Sequence, residues 1–413
     1  MNKRDSKRTF RACVAGIANQ AVVVNVTALL FAPFMRLYGF TYVQLGLLTA
    51  AGFLAQMAAD ISLVFLIDRI SRKKLALFAA ALSAAGLLFY GCTPWLFSAG
   101  GKYGGILAAT VLFAFAGGLL EIVLTGVADS LPQAEGRGGI CLLHTAYAWA
   151  QVALSLALLA FVAVFGAEKW NFAVLAFALV PLAALLLLAR AQFPPRRARA
   201  PVKATFKPFY LFAALAVFFG YGTEIVMNQW ISSFASETFG EAGGMLGCAA
   251  FAVCLGVGGA VYVSAERRAG RIPLLLLCVS ALLAAATYIL AALVPSDLPA
   301  LAFAALCGVF TGMLSPGAMS AVSDFLPRSG GWMLASLAVA QDIGAAALPA
   351  AAGALSQGGS VRSAFFAMSA APLVAAAALF LMAKMRGGGK ECTICKNFAR
   401  IPCFGGIESR FMV

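Results

Sequence analysis

The sequence predicts an all-α membrane protein in which twelve transmembrane helices form two pseudo-symmetric six-helix bundles. Three observations support this fold class: the chain is very apolar, its apolar runs have the length of membrane spans, and its two halves repeat. Of its 413 residues, 62% are hydrophobic and 11% are charged, whereas soluble domains are about 25% charged. Lipid is therefore the solvent that we expect around most of the surface.

Twelve apolar runs have the roughly 20-residue length that a helix needs to cross a bilayer. Helices are the expected spanning form, because lipid cannot satisfy backbone hydrogen bonds and the runs lack the alternating polarity of barrel strands. The predicted spans, numbered 1 to 12, cover about 11–35, 42–67, 75–97, 104–129, 140–165, 170–190, 208–235, 244–264, 272–294, 299–325, 331–356 and 362–385. The first run is longer than a signal-peptide core, so we expect it to be retained.

The basic residues predict the orientation of the spans, because cytoplasmic loops carry an excess of lysine and arginine. With the N-terminus in the cytoplasm, the other side holds only four of the 30 basic residues, namely Arg36, Lys102, Lys169 and Arg362. A wrong number of spans would scramble this asymmetry. We therefore predict a multi-pass protein of the cell membrane with both termini in the cytoplasm.

The middle of the chain predicts a division into two halves. Residues 191–207 form a basic, proline-bearing cytoplasmic linker between an N-terminal bundle, 1–190, and a C-terminal bundle, 208–386. The last residues, 387–413, are predicted to be a disordered cytoplasmic tail.

The two halves repeat each other at a fixed offset. Residues 127–132 at the end of span 4, Val-Ala-Asp-Ser-Leu-Pro, match residues 322–327 at the end of span 10, Val-Ser-Asp-Phe-Leu-Pro. Two six-helix repeats of this kind are related by an axis along the membrane normal, with the substrate cavity between them. Chance similarity of alanine- and leucine-rich helices is the alternative, and the shared Asp-x-Leu-Pro ending argues against it.

The loop after span 2 resembles a family signature. Residues 66–73, Leu-Ile-Asp-Arg-Ile-Ser-Arg-Lys, resemble the major facilitator superfamily motif G-x-L-A-D-R-x-G-R-R/K, with Val64 and Ser71 in place of its glycines. The resemblance implies the major facilitator fold and a transport function. We interpret four residues of this loop as a cytoplasmic gating clamp: Asp68, Arg69, Arg72 and Lys73. Positive-inside topology alone is the alternative explanation of the basic members.

Further residues resemble the fucose-permease branch of this superfamily, which contains sugar–proton symporters. The matching positions are Glu121, residues 142–147, residues 220–224 with Trp230, and residues 342–344 with Pro349. The well-understood fucose member uses an aspartate in span 1 and a glutamate in span 4, which implies a proton role for Glu121. Span 1 departs from this pattern because its strongly polar residues are Asn19, Gln20 and Asn25, so the coupling ion and the sugar stay open.

Four acids lie inside the predicted spans: Asp60, Glu121, Glu224 and Asp342. Each carboxylate costs about 2.5–3.5 kcal/mol at a helix centre, so we expect these side chains to face the bundle interior and to have a function. Burial favours the protonated form of a carboxyl group, which can then load and release a proton as the cavity alternates. Glu121 is the first candidate. A structural, hydrogen-bonded acid is the alternative for each, and for Asp60 a brace between spans 2 and 11.

Amide and aromatic residues of spans 5, 7 and 11 are further candidates, because a sugar needs flat apolar faces and partners for its hydroxyl groups. The predicted substrate- and proton-binding residues are Glu121, Glu224, Asp342, Asn25, His144, Tyr147, Gln151, Asn228, Trp230 and Gln341. Helix–helix packing, in which a polar pair contributes about 0.6 kcal/mol, is the alternative for the amides and aromatics. The single histidine, His144, is equally compatible with a structural hydrogen bond.

These features predict a secondary active transporter that moves a small polar solute, with a sugar as one candidate, by alternating access and coupled to protons. The predicted partners are the solute, protons and the lipid bilayer. The basic residues lie in short loops and not in one patch, so we expect no nucleic acid, and we expect a monomer. Neither a metal nor another cofactor is expected, and a lone histidine argues against an enzyme. An efflux pump for lipophilic compounds and a non-transporting sensor of the same fold are the alternatives.

Overall fold

The computed structural model describes residues 2–66, 69–131, 139–194, 208–269, 274–325 and 331–387. Helices occupy almost all of these residues, and the predicted all-α fold of twelve spans is confirmed. In the first half, the helices are Lys3–Leu29 for span 1 with its continuation Phe31–Tyr38, Tyr42–Leu66 for span 2, Arg72–Leu96 for span 3, Lys102–Asp129 for span 4, Gly139–Phe165 for span 5, and Trp170–Phe177 with Leu179–Arg190 for span 6.

The second half repeats this pattern with one difference at its start. Its helices are Pro208–Ala269 for spans 7 and 8 together, Leu274–Leu293 for span 9, Asp297–Thr311 with Leu314–Phe325 for span 10, Gly331–Gln357 for span 11, and Val361–Met368 with Ala370–Gly387 for span 12. Spans 7 and 8 are separated by Gly240 alone, whose φ of 69° is a conformation that other residues rarely adopt. The sequence predicted a longer separation, from 235 to 244.

An even number of spans brings Asn2 and Gly387 to the same side of the molecule. We call this side the terminal face and the other side the distal face. The turns after the odd-numbered spans lie at the distal face, including Gly39 and Gly166, and Gly240 lies there as well. Large apolar side chains on the outside of the helices are exposed, for example Phe78, which is 56% exposed. An apolar outer surface of this kind suits contact with lipid.

The buried apolar side chains are continuous between the halves near the distal face and separate near the terminal face. One cluster joins both halves and includes Phe34 of the first half and Trp230 of the second. Towards the terminal face, a second cluster around Leu120 belongs to the first half, and a third around Leu277 belongs to the second half. The two halves are therefore packed together at one side and apart at the other.

Two pairs of helices carry the contact between the halves. Span 2 packs along span 11, and span 5 packs along the helix of spans 7 and 8. Glycines allow the first of these contacts, since a Cβ atom on Gly353 would lie 2.7 Å from the carbonyl oxygen of Tyr42. The described parts of spans 4 and 10 make no comparable contact. In the described part of the chain, the two halves are thus more loosely packed towards the terminal face than towards the distal face.

Some predicted features fall outside the described residues. These are Asp68, all but the first four residues of the linker 191–207, and all but the first residue of the tail 387–413. The backbone of His144 belongs to span 5, but its side chain also lies outside the described part. The domain boundaries and the role of His144 stay predictions.

Candidate substrate and proton site

Four of the predicted site residues form one hydrogen-bonded network at the centre of the interface, which we call the central network. Asn25 donates through Nδ2 to the hydroxyl of Tyr147 at 3.0 Å. Asn228 donates through Nδ2 to Oδ1 of Asn25 at 2.8 Å, and Gln151 donates through Nε2 to Oδ1 of Asn228 at 2.6 Å. Asn228 belongs to the second half and the other three to the first, so the central network joins the halves.

Gln229, next to Asn228 in span 7, makes a second polar contact across the interface. Thr49 donates through Oγ1 to Oε1 of Gln229 at 3.3 Å, and Gln229 donates through Nε2 to the carbonyl oxygen of Val24 at 3.2 Å. A cavity of about 20 Å³ lies beside Thr49, Gln56 and Gln229, which is room for one ordered water. Gln229 was absent from the predicted set, although its amide beside Asn228 was a usable signal.

Glu121 lies near the central network, on the terminal side of the interface. Gln20 of span 1 donates through Nε2 both to Oε2 of Glu121 at 2.8 Å and to Oε1 of Gln56 at 2.9 Å. The resemblance implied an aspartate in span 1, and here a neutral amide occupies that span and holds the carboxyl group of span 4. Gln20 and Gln56 were not among the predicted site residues.

Two buried amide oxygens in this region have no hydrogen-bond partner among the described residues. They are Oε1 of Gln20 and Oε1 of Gln151. A buried polar atom that lacks a partner costs about 1–3 kcal/mol. Both atoms are acceptors, and hydroxyl groups of a solute between the halves can supply the missing donors.

The other predicted acids lie on spans 7 and 11. Glu224 is 7% exposed, and its carboxyl group has no hydrogen bond to another described residue. Asp342 of span 11 places its carboxyl group within hydrogen-bonding reach of Asp60 of span 2. Gln341 accepts a hydrogen bond from Ser315 of the same half and does not join the central network.

Trp230 is enclosed within the distal part of the interface. Its indole nitrogen donates to the carbonyl oxygen of Pro349 at 3.0 Å, and its ring packs on Phe31 and Tyr42 with centroids 5.4 and 5.8 Å away. The side chain is fully buried. In this conformation it closes the distal side and offers no free ring face to a solute.

Polar and charged side chains join the halves at the distal surface. Arg36 of the first half makes ion pairs with Glu241 of the second half at 2.7 Å and with Glu168 at 2.8 Å. The hydroxyl of Tyr42 donates to Glu237 at 2.9 Å. The Glu241 and Glu168 carboxylates raise the pKa of Arg36, so its guanidinium group stays charged. We call Arg36, Glu168 and Glu241 the distal ion cluster.

Replacing Arg36 by alanine is expected to open the distal side more often, with a modest effect. The Arg36 and Glu168 side chains are 49% and 60% exposed, and water screens exposed ion pairs so that each contributes little. The ratio of distal-open to distal-closed molecules should rise by at most about fivefold, measured as the alkylation rate of a cysteine introduced at Thr49. Arg362→Ala is the matched control, because Arg362 pairs with Asp297 of its own half at 2.6 Å. An equal change in both variants would contradict a gating role for the cluster.

The described members of the predicted gating clamp bind carbonyl groups of their own half. Arg72 donates to the carbonyl oxygens of Gly126, at 3.3 Å, and of Pro194. Lys73 donates through Nζ to the carbonyl oxygen of Ala191 at 2.9 Å. These acceptors follow or end spans 4 and 6, where a helix dipole attracts cations. Arg69 is exposed, and the gating role of the clamp stays a prediction.

The chain matches one family model and is similar in fold to several solved transporters. A family model described as "Major Facilitator Superfamily" matches residues 12–329. A solved bacterial homolog to the human lysosomal transporter Spinster, inward-facing and occupied, is 17% identical with a TM-score of 0.71 over 93% of this chain and 98% of that one. The E. coli fucose:proton symporter FucP is 18% identical with a TM-score of 0.63, over 91% and 98% of the two chains.

The xylose transporter XylE from E. coli, in a partially occluded inward-open conformation, is 12% identical with a TM-score of 0.75, over 92% and 98% of the two chains. At these identities the structures show a common fold and nothing finer. No curated protein sequence matches the chain. The family match covers most of the chain and agrees with the twelve-helix fold, so the protein is a member of the Major Facilitator Superfamily.

Proposed function

We propose that this protein is a secondary active transporter that moves a small polar solute, with sugars as the leading candidates, by alternating access in symport with protons. The observation that carries the proposal is the central network of Asn25, Tyr147, Gln151 and Asn228. It lies between the two halves, where a transported solute must pass. It ends on the amide oxygen of Gln151, which has no partner among the residues that the structure describes.

The chemistry of the central network favours a solute with hydroxyl groups. Amide and phenol groups both donate and accept hydrogen bonds, as sugar hydroxyl groups do. A solute that enters the network exchanges one set of hydrogen bonds for another, which has a small net cost. A lipophilic compound would leave the same groups unpaired, so the alternative of a lipophilic efflux pump is the weaker one. FucP and XylE, which share the fold, are described as carriers of fucose and xylose.

The asymmetry of the interface supports alternating access. The distal side is closed by the shared apolar cluster, by Trp230 and by the distal ion cluster. Towards the terminal face, the described residues of the two halves form separate apolar clusters, so we assign this conformation to the state that opens to the terminal face. If the termini lie in the cytoplasm, this is the conformation that releases solute into the cell. The opposite state requires the distal contacts to part and the terminal ends of spans 4 and 10 to meet, as in rigid-body transitions between two packings.

Glu121 is our candidate for the residue that carries the proton transported with the solute. Its hydrogen-bonding partner, Gln20, is neutral, and among the described residues no basic side chain pairs with it. A carboxyl group in such surroundings gains from being protonated. Gln20 of span 1 also donates to Gln56 of span 2, so the side chain of Gln20 connects Glu121 to both spans. A change in the protonation of Glu121 alters the hydrogen bonds of this one side chain.

Transport in proteoliposomes tests the proposal. Vesicles that contain the purified protein should take up at least one sugar of a monosaccharide panel, and the external medium should become alkaline as they do so. Solute flux with no proton movement would remove the symport, and the absence of flux for every polar solute, with flux of lipophilic dyes, would favour the efflux alternative.

Replacing Asn228 by alanine is expected to weaken binding of the transported solute by about tenfold or more. The variant removes the group that links Asn25 to Gln151 and leaves both without that partner. The apparent affinity is measured by solute-dependent thermal stabilisation, which does not need a functional transport cycle. Thr311→Val is the matched control, since this buried hydroxyl bonds only to a carbonyl of its own helix. Unchanged affinity in Asn228→Ala would contradict a binding role for the central network.

A further inference from the structure

Two acids meet across the interface between the halves. The carboxyl groups of Asp60 in span 2 and Asp342 in span 11 lie within hydrogen-bonding reach of each other. Asp342 is 6% exposed, and its Oδ2 atom is buried without a partner among the described residues. Spans 2 and 11 pack along each other, so this pair lies on one of the two contacts that hold the halves together.

The groups that surround the pair are acidic or neutral. From span 4, the carboxyl group of Glu121 interacts electrostatically with both acids. From span 7, Tyr221 is close enough to interact with Asp342, Glu121 and Glu224. Among the described residues, no basic side chain acts on either acid. The negative charge of the pair therefore has no positive partner in this part of the chain.

Such a contact requires a proton. Two ionised carboxylates contain no donor and cannot form a hydrogen bond with each other. With no basic side chain acting on them among the described residues, their repulsion disfavours double ionisation, and acid pairs of this kind share one proton. The contact between Asp60 and Asp342 is therefore made with one proton between them. Loss of that proton to water leaves two like charges facing each other across the interface.

We propose that Asp60 and Asp342 form a proton site of their own, distinct from Glu121, whose shared proton stabilises the conformation that opens to the terminal face. This rests on the transport function proposed above, in which Glu121 serves the proton that accompanies the solute. When the shared proton leaves to the terminal side, the two carboxylates repel, and the state in which this contact is made becomes less stable. The empty carrier then returns to the state that opens to the distal face.

Conformation measured without solute tests this site. Spin labels on cysteines introduced at Lys74 and Arg268, which are exposed on the terminal sides of the two halves, report the opening of the terminal face. The measurement uses double electron–electron resonance in nanodiscs, in a background without other reactive cysteines, from about pH 5 to about pH 9. The ratio of terminal-open to terminal-closed molecules should fall by about tenfold or more as the pH rises, since one neighbouring charge shifts a titration by about one to three pH units.

Asp60→Asn should abolish this dependence on pH. The asparagine amide donates to Asp342 as the shared proton does, so the terminal-open state persists at every pH. Asp342→Asn is the equivalent variant on the other half, and the variant with both substitutions has no ionisable group at this site. Each variant is checked by size-exclusion chromatography in detergent, where a folded protein elutes as one monodisperse peak. Glu121→Gln should retain a pH-dependent shift of wild-type amplitude while it loses proton-driven transport. Because it removes a carboxyl group that acts on both aspartates, it can move the midpoint of that shift to lower pH.

The outcomes separate this site from the transport proposal. A wild-type shift in both Asp60→Asn and Asp342→Asn would overturn the shared-proton site, whatever the solute flux shows. A shift that disappears only in Glu121→Gln would assign the conformational proton to Glu121 and would overturn the site as well. Loss of the shift in both aspartate variants, with its retention in Glu121→Gln, would support it even if no sugar is transported.

Discussion

Replacing Glu121 by glutamine is expected to abolish uphill accumulation of solute while leaving exchange of solute across the membrane intact. Glutamine keeps the size of the side chain and its contact with Gln20, which bonds Oε2 of Glu121 at 2.8 Å. It cannot bind and release a proton. Accumulation against a gradient needs the proton, whereas counterflow needs only a loaded carrier that changes sides.

Both activities are measured in the same vesicles, with an imposed pH gradient for accumulation and an internal solute load for counterflow. Asp297→Asn is the control, because Asp297 is an acid at the distal surface that pairs with Arg362 of its own half. It should keep both activities. Accumulation by Glu121→Gln at the wild-type level would remove Glu121 from the proton pathway.

Replacing Gly353 by valine is expected to abolish both accumulation and exchange. A Cβ atom there would lie 2.7 Å from the carbonyl oxygen of Tyr42 and 2.9 Å from the ring of Trp230. The first of these atoms is backbone of the other half and cannot move aside alone. Valine therefore holds spans 2 and 11 apart at the distal side, and a carrier that cannot close one side cannot cycle.

Gly104→Val is the matched control, because Gly104 is also helical and a Cβ atom there would have no neighbour within 4 Å. It should transport as the wild type does. A cysteine introduced at Thr49 should be alkylated faster from the distal side in Gly353→Val than in Gly104→Val. Normal exchange by Gly353→Val would show that the distal side does not need this close contact.

The fold was predictable because it depends mainly on the length of the apolar runs and on where polar residues interrupt them. Runs of about 20 apolar residues have few alternatives in lipid, and the repeat of 127–132 at 322–327 indicated two halves. The junction of spans 7 and 8 was predicted less well. Ser236, Glu237 and Glu241 interrupt the apolar pattern between 235 and 244, whereas the chain continues as helix and turns at Gly240.

The candidate site was predictable in part. Polar side chains inside spans must find partners, and this rule selected Asn25, Tyr147, Gln151 and Asn228, which the structure brings together. The rule does not say which partners a side chain takes. Trp230 is buried in the closed distal part of the interface, and Gln341 bonds within its own half. The sequence does not predict these contacts, because they depend on how two helices are rotated against each other.

The distal ion cluster and the pair of Asp60 and Asp342 depend on the same missing information. In each, the residues that pair with each other are more than 100 positions apart. They meet only because tertiary packing sets how the helices are shifted along each other. Because an acid inside a membrane span is costly, the sequence did single out Asp60 as a residue with an expected structural or functional role. The alternative of a brace already named span 11 as the neighbour of Asp60, but the residue that it meets there, Asp342, became identifiable only from the packing of the two spans.

The buried aromatic packing around Phe34, Trp170 and Trp230 has an electrical consequence. A membrane voltage falls mainly across material that excludes water and ions, so most of the field in this conformation would lie across that thin layer. The acids behind it share the potential of the compartment on their open side. A proton that binds to or leaves these acids therefore crosses little of the membrane voltage. The electrical work, about 2.3 kcal/mol per charge and 100 mV, is done instead in the conformational change that moves the closed layer to the other side of the acids.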